Sequence, residues 1–147
     1  MGARRRRPQL RLPPVEGEVT VRALVIDDSR VMRRIVTGIL EDLGYEVQQA
    51  GHGREGLDVL DGGWVPDLVC VDWNMPVMDG LQFVSAVRSN PAFRQVTIMM
   101  VTSESEHTKI VRALAAGAHE YVIKPFTADA IRDKLALLGL LPQGAVL

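Results

Sequence analysis

The chain has 147 residues, of which 17 are basic and 18 acidic, for a net charge of −1. That length suits one domain with a proper core, and the near-neutral balance excludes a strongly basic, nucleic-acid-binding body. A single cysteine, Cys70, excludes an internal disulfide. No run approaches the roughly 18 apolar residues of a membrane span, and no apolar segment follows the N-terminal basic residues to make a secretory signal. A reducing cytoplasm is the expected location.

The charge is unevenly spread. Residues 1–22 hold six arginines against Glu16 and Glu18, about +4, which leaves the remainder mildly acidic at about −5. Arg4 to Arg7 repel one another, and Pro8, Pro13 and Pro14 break regular structure. Residues 1–20 therefore read as a disordered basic tail, or as an arm that touches an anionic partner.

From Val21 the pattern alternates between strand and helix. Val21 to Asp27 is a predicted strand. Ser29 can cap the following helix, whose apolar positions Val31, Ile35, Ile39, Leu40 and Leu43 recur at helical spacing and which Gly44 stops. Glu46 to Ala50 is a half-polar strand suited to a sheet edge, and Arg54 to Leu60 a short helix ended by Gly62-Gly63. Leu68 to Val71 is an apolar strand that places Cys70 in the core. Gly80 opens a helix carrying Leu81, Val84 and Val87, ended by Asn90-Pro91. Val96 to Val101 is a strand, Ser105 to Ala116 a helix stopped at Gly117, and Glu120 to Ile123 the fifth strand. Thr127 can cap the last helix, with Ile131, Leu135 and Leu138 inward; residues 142–147 form a short tail.

Five strands alternating with five helices imply an α/β fold, a doubly wound parallel sheet covered on both faces. Ligands in such folds bind beyond the carboxyl ends of the strands, where strand order reverses. In the order 2-1-3-4-5 the first and third strands are neighbours at that point.

Four of the apolar runs end in a polar group at that edge. Asp27 and Asp28 end one, Asp72 ends the second, Thr102 the third and Lys124 the fourth. Alone, each has an ordinary explanation: a turn or cap for an aspartate, a strand-end hydroxyl, a solvated lysine. Together they form a site. Clustered carboxylates repel, and a hard divalent cation with oxygen ligands relieves the repulsion; Mg2+ is the expected ion. Asp72 can then act as a nucleophile that forms an acyl phosphate, with Lys124 and Thr102 holding phosphoryl oxygens.

These residues carry a resemblance. Asp27-Asp28, the loop Asp72-Trp73-Asn74-Met75-Pro76-Val77-Met78-Asp79-Gly80, Thr102-Ser103 and Lys124-Pro125-Phe126 make residues 21–141 similar to a response-regulator receiver domain of two-component signalling, a flavodoxin-like fold. Met32-Arg33-Arg34-Ile35 and the loop with Trp73 are most similar to the stand-alone chemotaxis regulators, although Ser29 stands where those often carry an aromatic residue. The resemblance implies a single-domain regulator phosphorylated on Asp72 by a histidine kinase. It implies Mg2+ bound by Asp28, Asp72 and the backbone carbonyl of Asn74, with Asp27 helping through water. It also implies a cis peptide at Lys124-Pro125, a switch formed by Thr102 and Tyr121, in which the tyrosine turns inward, and dephosphorylation tuned at Asn74 and Glu104. The face of residues 105–116, 120–123 and 127–141 would bind the target, such as a flagellar motor switch or a phosphotransfer protein.

Competing readings are weaker. An aspartyl-nucleophile phosphatase usually has a second Asp two residues after the first, but Ser29 and Asn74 occupy those places. No DNA-binding segment is expected after the last helix. Gly51, Gly53 and Gly56 lack the lysine of a phosphate-binding nucleotide loop. His52, His107 and His119 have no ligand spacing and read as surface or capping residues. Trp64 should cover an edge of the core, and Trp73 should report optically on the site.

Overall fold

The computed structural model describes residues 20–142; the basic tail lies outside the described residues except for Thr20, and the C-terminal tail except for Pro142. The elements are β1 (Arg22–Ile26), α1 (Arg30–Asp42), β2 (Glu46–Ala50), α2 (Gly53–Asp61), β3 (Leu68–Val71), α3 (Gly80–Arg88), β4 (Thr97–Thr102), α4 (His107–Ala116), β5 (Glu120–Ile123) and α5 (Ala128–Leu137). The strands form one parallel sheet in the order β2-β1-β3-β4-β5. This is the expected flavodoxin-like, doubly wound architecture, with the half-polar β2 at an edge.

The period of two along each strand divides the core into two layers. Leu24, Ile26, Val69, Val71, Ile98 and Met100 face α2, α3 and α4, where Leu57, Leu60, Phe83, Val84 and Val87 cover them. Ala23, Val25, Leu68, Cys70, Met99 and Val101 face α1 and α5, covered by Val36, Leu40, Ile131 and Leu135. Each large apolar side chain buried here contributes about 1.5–3 kcal/mol relative to exposure. Cys70 is part of this packing, and burial pushes its thiol up to about 12.

Ser29 and Thr127 cap their helices as the sequence signals, and Asp79 adds a cap before Gly80. Ser29 accepts from Met32 N, Thr127 from Ala130 N, and Asp79 forms a capping box with Gln82. His52 caps α2 through its ring nitrogen. Gly44, just past α1, has φ of 103°, which an L side chain rarely adopts.

Several expectations need correction. The stripe of α1 is turned: Val31 and Ile35 are exposed, while Val36 and Leu40 are buried, with Ile39 and Leu43 packed beside them. At 100° per residue, Val31 and Ile35 lie roughly 140° and 100° from the centre of the Val36–Leu40–Leu43 face. Their spacing is helical but their phase is wrong. In α3 Phe83 is fully buried alongside the expected Val84 and Val87, while Leu81 is only partly buried. A 3-10 turn at Pro91–Phe93, capped by Asn90, intervenes before β4. Helix α4 starts at His107 rather than Ser105, and α5 ends at Leu137, with Leu138 as its C-cap.

Candidate functional site

Parallel register brings the strand ends together. Ile26 pairs with Val71, and Thr102 with Ile123, so Asp27, Asp72, Thr102 and Lys124 emerge at the same edge of adjacent strands. Carboxylate oxygens of Asp27, Asp28 and Asp72 lie within 4.8 Å of one another, so this cluster could hold a metal ion. Asp27 and Asp72 are buried and Asp28 is exposed.

The hydrogen bonds distinguish the three carboxylates. Asp27 accepts from Ser29 N through Oδ1 at 2.8 Å and from Lys124 Nζ through Oδ2 at 2.7 Å. Asp72 accepts from Trp73 N through Oδ1 at 2.7 Å and from Lys124 through Oδ2 at 3.3 Å. Asp28 is the carboxylate open to solvent. One ammonium therefore serves two carboxylates in a group of three, and the set is short of positive charge. All the available donors are hard oxygens, which fits a small divalent cation. Lys124 is half-buried. Burial works to lower its pKa, but the hydrogen bond to Asp27 and the charges of Asp72 and Asp27 outweigh this and raise it. The Lys124–Pro125 peptide is cis, as expected.

The loop after β3 is tightly built. Gly80 N donates to Trp73 O, and a Cβ at Gly80 would sit 2.2 Å from Asp72 O, so only glycine lets the start of α3 pass this close to Asp72. Val77 has φ of 68° and is 77% exposed. A β-branched residue in this region is strained by about 1–3 kcal/mol. Trp73 is buried, and its ring lies 5.9 Å from the ammonium of Lys109.

On the neighbouring loop Thr102 is fully buried, and its hydroxyl accepts from Glu104 N at 3.2 Å. Tyr121 is also buried, and its hydroxyl donates to Glu104 O at 2.6 Å. The tyrosine ring is thus already inside, against the expectation that it would have to turn inward. Burial, with the nearby charges of Glu104 and Asp72, raises its phenol to about 12. Glu104 Oε2 takes two donors, Asn74 Nδ2 at 3.1 Å and Lys109 Nζ at 3.3 Å. These hydrogen bonds hold the Glu104 carboxyl below its usual pKa.

The expected site residues lie at this edge or on the two loops that frame it, except Tyr121, which stands within β5 and reaches the second loop through its hydroxyl. Lys109 joins them without any sequence signal. It stands five residues after Glu104, across the start of α4, and that is not a spacing with a recognised meaning. Arg33, on α1, was missed as well; it donates to Asp27 O at 2.5 Å. Trp64 packs against the core with Arg22 over its ring, as expected of an edge residue. No helix among the described residues is long and apolar enough to cross a membrane.

Comparison with known proteins agrees with this geometry. Residues 23–136 match the response regulator receiver domain family. The chain is 41% identical over 119 residues to chemotaxis protein CheY1 of Helicobacter pylori, covering 80% of this chain and 96% of that protein. It is 40% identical over 116 residues to a chemotaxis protein CheY homolog of Campylobacter jejuni, covering 78% and 89%. Among solved structures, chemotaxis protein CheY4 of Vibrio cholerae superposes with a TM-score of 0.76 at 35% identity, covering 81% of this chain and 98% of that one. Five parallel strands in this order, the acidic cluster at their carboxyl edge and these likenesses agree: the chain belongs to the response regulator receiver domain family, which are signalling domains rather than classical enzymes.

Proposed function

We propose that this protein is a single-domain response regulator that accepts a phosphoryl group on Asp72 from a histidine kinase, in the cytoplasm and in a chemotaxis pathway. The observation that carries this is the trio Asp27, Asp28 and Asp72 with Lys124 bridging two of them. The chemotaxis assignment rests on the likeness to the Helicobacter, Campylobacter and Vibrio proteins.

In this reading an Asp72 carboxylate oxygen attacks phosphorus. The bond from phosphorus to the donor's nitrogen or oxygen breaks, and the bonding electrons leave with the donor. Asp28, Asp72 and the Asn74 carbonyl would hold Mg2+, with Asp27 helping through water. The ion would offset the charge on the phosphoryl oxygens. Lys124 lies against Asp72 Oδ2, where its ammonium can pass to a phosphoryl oxygen.

Output would start at Thr102. Its hydroxyl now accepts from Glu104 N. Turned toward a phosphoryl oxygen, it would release that N–H, and Glu104 would move. Tyr121 holds the carbonyl of the same residue, so it would follow. The face of α4, β5 and α5 then changes shape by a population shift and binds a downstream protein such as a flagellar motor switch. The inward Tyr121 favours a second reading, a phosphate relay whose output face changes little on phosphorylation.

Incubation with acetyl phosphate and Mg2+ should label Asp72 stoichiometrically, and Asp72→Asn should abolish labelling. Acid-labile phosphate on the Asn variant overturns the assignment. Transfer to a histidine phosphotransfer protein, with Thr102 and Tyr121 rotamers unchanged by beryllofluoride, would decide for the relay.

A further inference from the structure

We propose that Lys109 is a positioning residue that lengthens the life of the phosphoryl group on Asp72, by latching Glu104 and Asn74 across the mouth of the site. The proposal rests on reading Asp72 as the phosphoacceptor.

Three segments meet at one carboxylate oxygen. Asn74 comes from the loop after β3, Glu104 from the loop after β4, and Lys109 from the first turn of α4. Both donors converge on Oε2 of Glu104, at 3.1 and 3.3 Å. The side chain is held from two sides while its backbone is held from two more, by Thr102 Oγ1 on the amide and Tyr121 on the carbonyl. Lys109 is fixed in turn by the Trp73 ring. The Glu104 and Lys109 side chains are 18% and 33% exposed, so this is a partly buried link rather than a fully solvated ion pair.

Loss of the phosphoryl group requires a water. Its oxygen bonds to phosphorus as the bond from phosphorus to the Asp72 oxygen breaks. The electron pair returns to the carboxylate, and one water proton leaves to solvent. Attack is in line, so the water approaches from the side opposite the Asp72 oxygen. Asp72 is buried and Asn74 exposed, so this side is the solvent mouth that the Asn74–Glu104 link spans. The Glu104 carboxylate, tied by two donors on one oxygen, stands across this mouth and obstructs the water. Without Lys109 the glutamate loses one of its two tethers, and the link opens more often.

The test measures decay after phosphorylation by acetyl phosphate and removal of the donor, read by Trp73 fluorescence and by acid-labile phosphate. Lys109→Gln should speed decay about two- to fivefold, the scale of one partly exposed ion pair. Lys109→Arg should restore the wild-type rate. Glu104→Ala, which removes the whole link, should speed decay at least as much as Lys109→Gln, and the double variant should be no faster than Glu104→Ala alone. A second readout needs neither metal nor phosphate. The Asn74 side-chain amide resonance of the metal-free protein should move in Lys109→Gln and return in Lys109→Arg. Unchanged or slower decay in Lys109→Gln, additive rates in the double variant, or an unmoved Asn74 amide each overturn the latch. If Asp72→Asn still takes up phosphate, the phosphoacceptor assignment has failed instead, while the metal-free amide shift judges the latch independently.

Discussion

The two edges of the sheet treat charge in opposite ways. At the carboxyl edge one ammonium, Lys124, serves two of three clustered carboxylates, and negative charge is left over. At the amino edge of β4 and β5 one guanidinium, Arg88, meets only neutral acceptors. It donates to Gly117 O at 3.0 Å, Phe93 O at 3.4 Å and Val96 O at 2.7 Å, and it lies 3.3 Å from His119 Nδ1. These carbonyls end α4 and the 3-10 turn and precede β4, so Arg88 satisfies groups that helix and strand ends leave over. The amino edge also has an open cleft of about 450 Å³, lined by residues that include Arg88, Arg94, Leu114 and His119. A cleft alone therefore does not mark the functional edge. What marks it is polar groups whose charges are left unbalanced, together with the strain at Val77.

The largest effect that separates the edges should come from Arg88→Ala. It removes three bonds from a charged donor to half-buried carbonyls, and should cost about 2–4 kcal/mol of stability, while acetyl phosphate still labels Asp72. Urea denaturation of the variant, with a labelling assay beside it, checks both parts. A loss of labelling in protein that is still folded would mean that the two edges are coupled.

Asp28→Ala should do the reverse. It removes a proposed metal ligand, so the Trp73 fluorescence response to Mg2+ should weaken at least about tenfold, roughly 1.4 kcal/mol. In chelator the same variant should be as stable as wild type or more so, because one of three like charges has gone. An unchanged Mg2+ titration would remove Asp28 from the site. A loss of stability in chelator would show that the cluster is not frustrated.

Val77→Gly sharpens the same contrast by about 1 kcal/mol. Glycine adopts φ of 68° without a Cβ penalty, so relief of strain should exceed the entropy it adds to the unfolded chain. Thermal melting of the metal-free protein reads the gain. A lower melting temperature would mean that the loop does not hold strain.

The functional edge was far more legible in the sequence than the structural one, for a physical reason. Asp27, Asp28, Asp72, Thr102 and Lys124 are polar residues at the ends of apolar runs, so residue type and strand period alone place them together once the strands are parallel. Arg88 acts on backbone carbonyls, which no residue type announces, and the sequence reading passed over it. The same limit hid Lys109 and Arg33, since hydrogen bonds made across loops leave no spacing. It also hid the phase of α1. Val31 and Ile35 fit a helical repeat with Ile39, but which of two overlapping stripes faces the sheet is settled by packing against Val25 and Leu135, not by periodicity. Val77 carried no warning, because valine is an unusual choice for a positive φ. The inward Tyr121 depends on the Glu104 carbonyl, again a backbone group.

The smallest expected effect is a pH dependence that belongs to the amino edge. Ile98 N donates to His119 Nδ1 at 3.1 Å. An amide N–H can only donate, so that ring nitrogen must be unprotonated, and the neutral ring carries its proton on Nε2. Burial lowers the His119 pKa below 6.5, and the charge of Arg88 adds to this. The folded chain therefore resists a proton that the unfolded chain accepts. Above pH about 6.5 both forms are neutral here and the full contribution is present. As pH falls through 6.5 toward the lower folded value, the unfolded state gains a proton first and stability is lost. His119→Asn can keep the contact, because its side-chain oxygen can accept from Ile98 N, but it cannot titrate. The difference between wild type and variant in urea midpoint should therefore shift in the variant's favour between pH 7.5 and 5.5. The ring is largely exposed, so the shift should be small. A constant difference across that range would show that His119 does not titrate against the fold, and would leave Arg88 alone as the charged group that organises this edge.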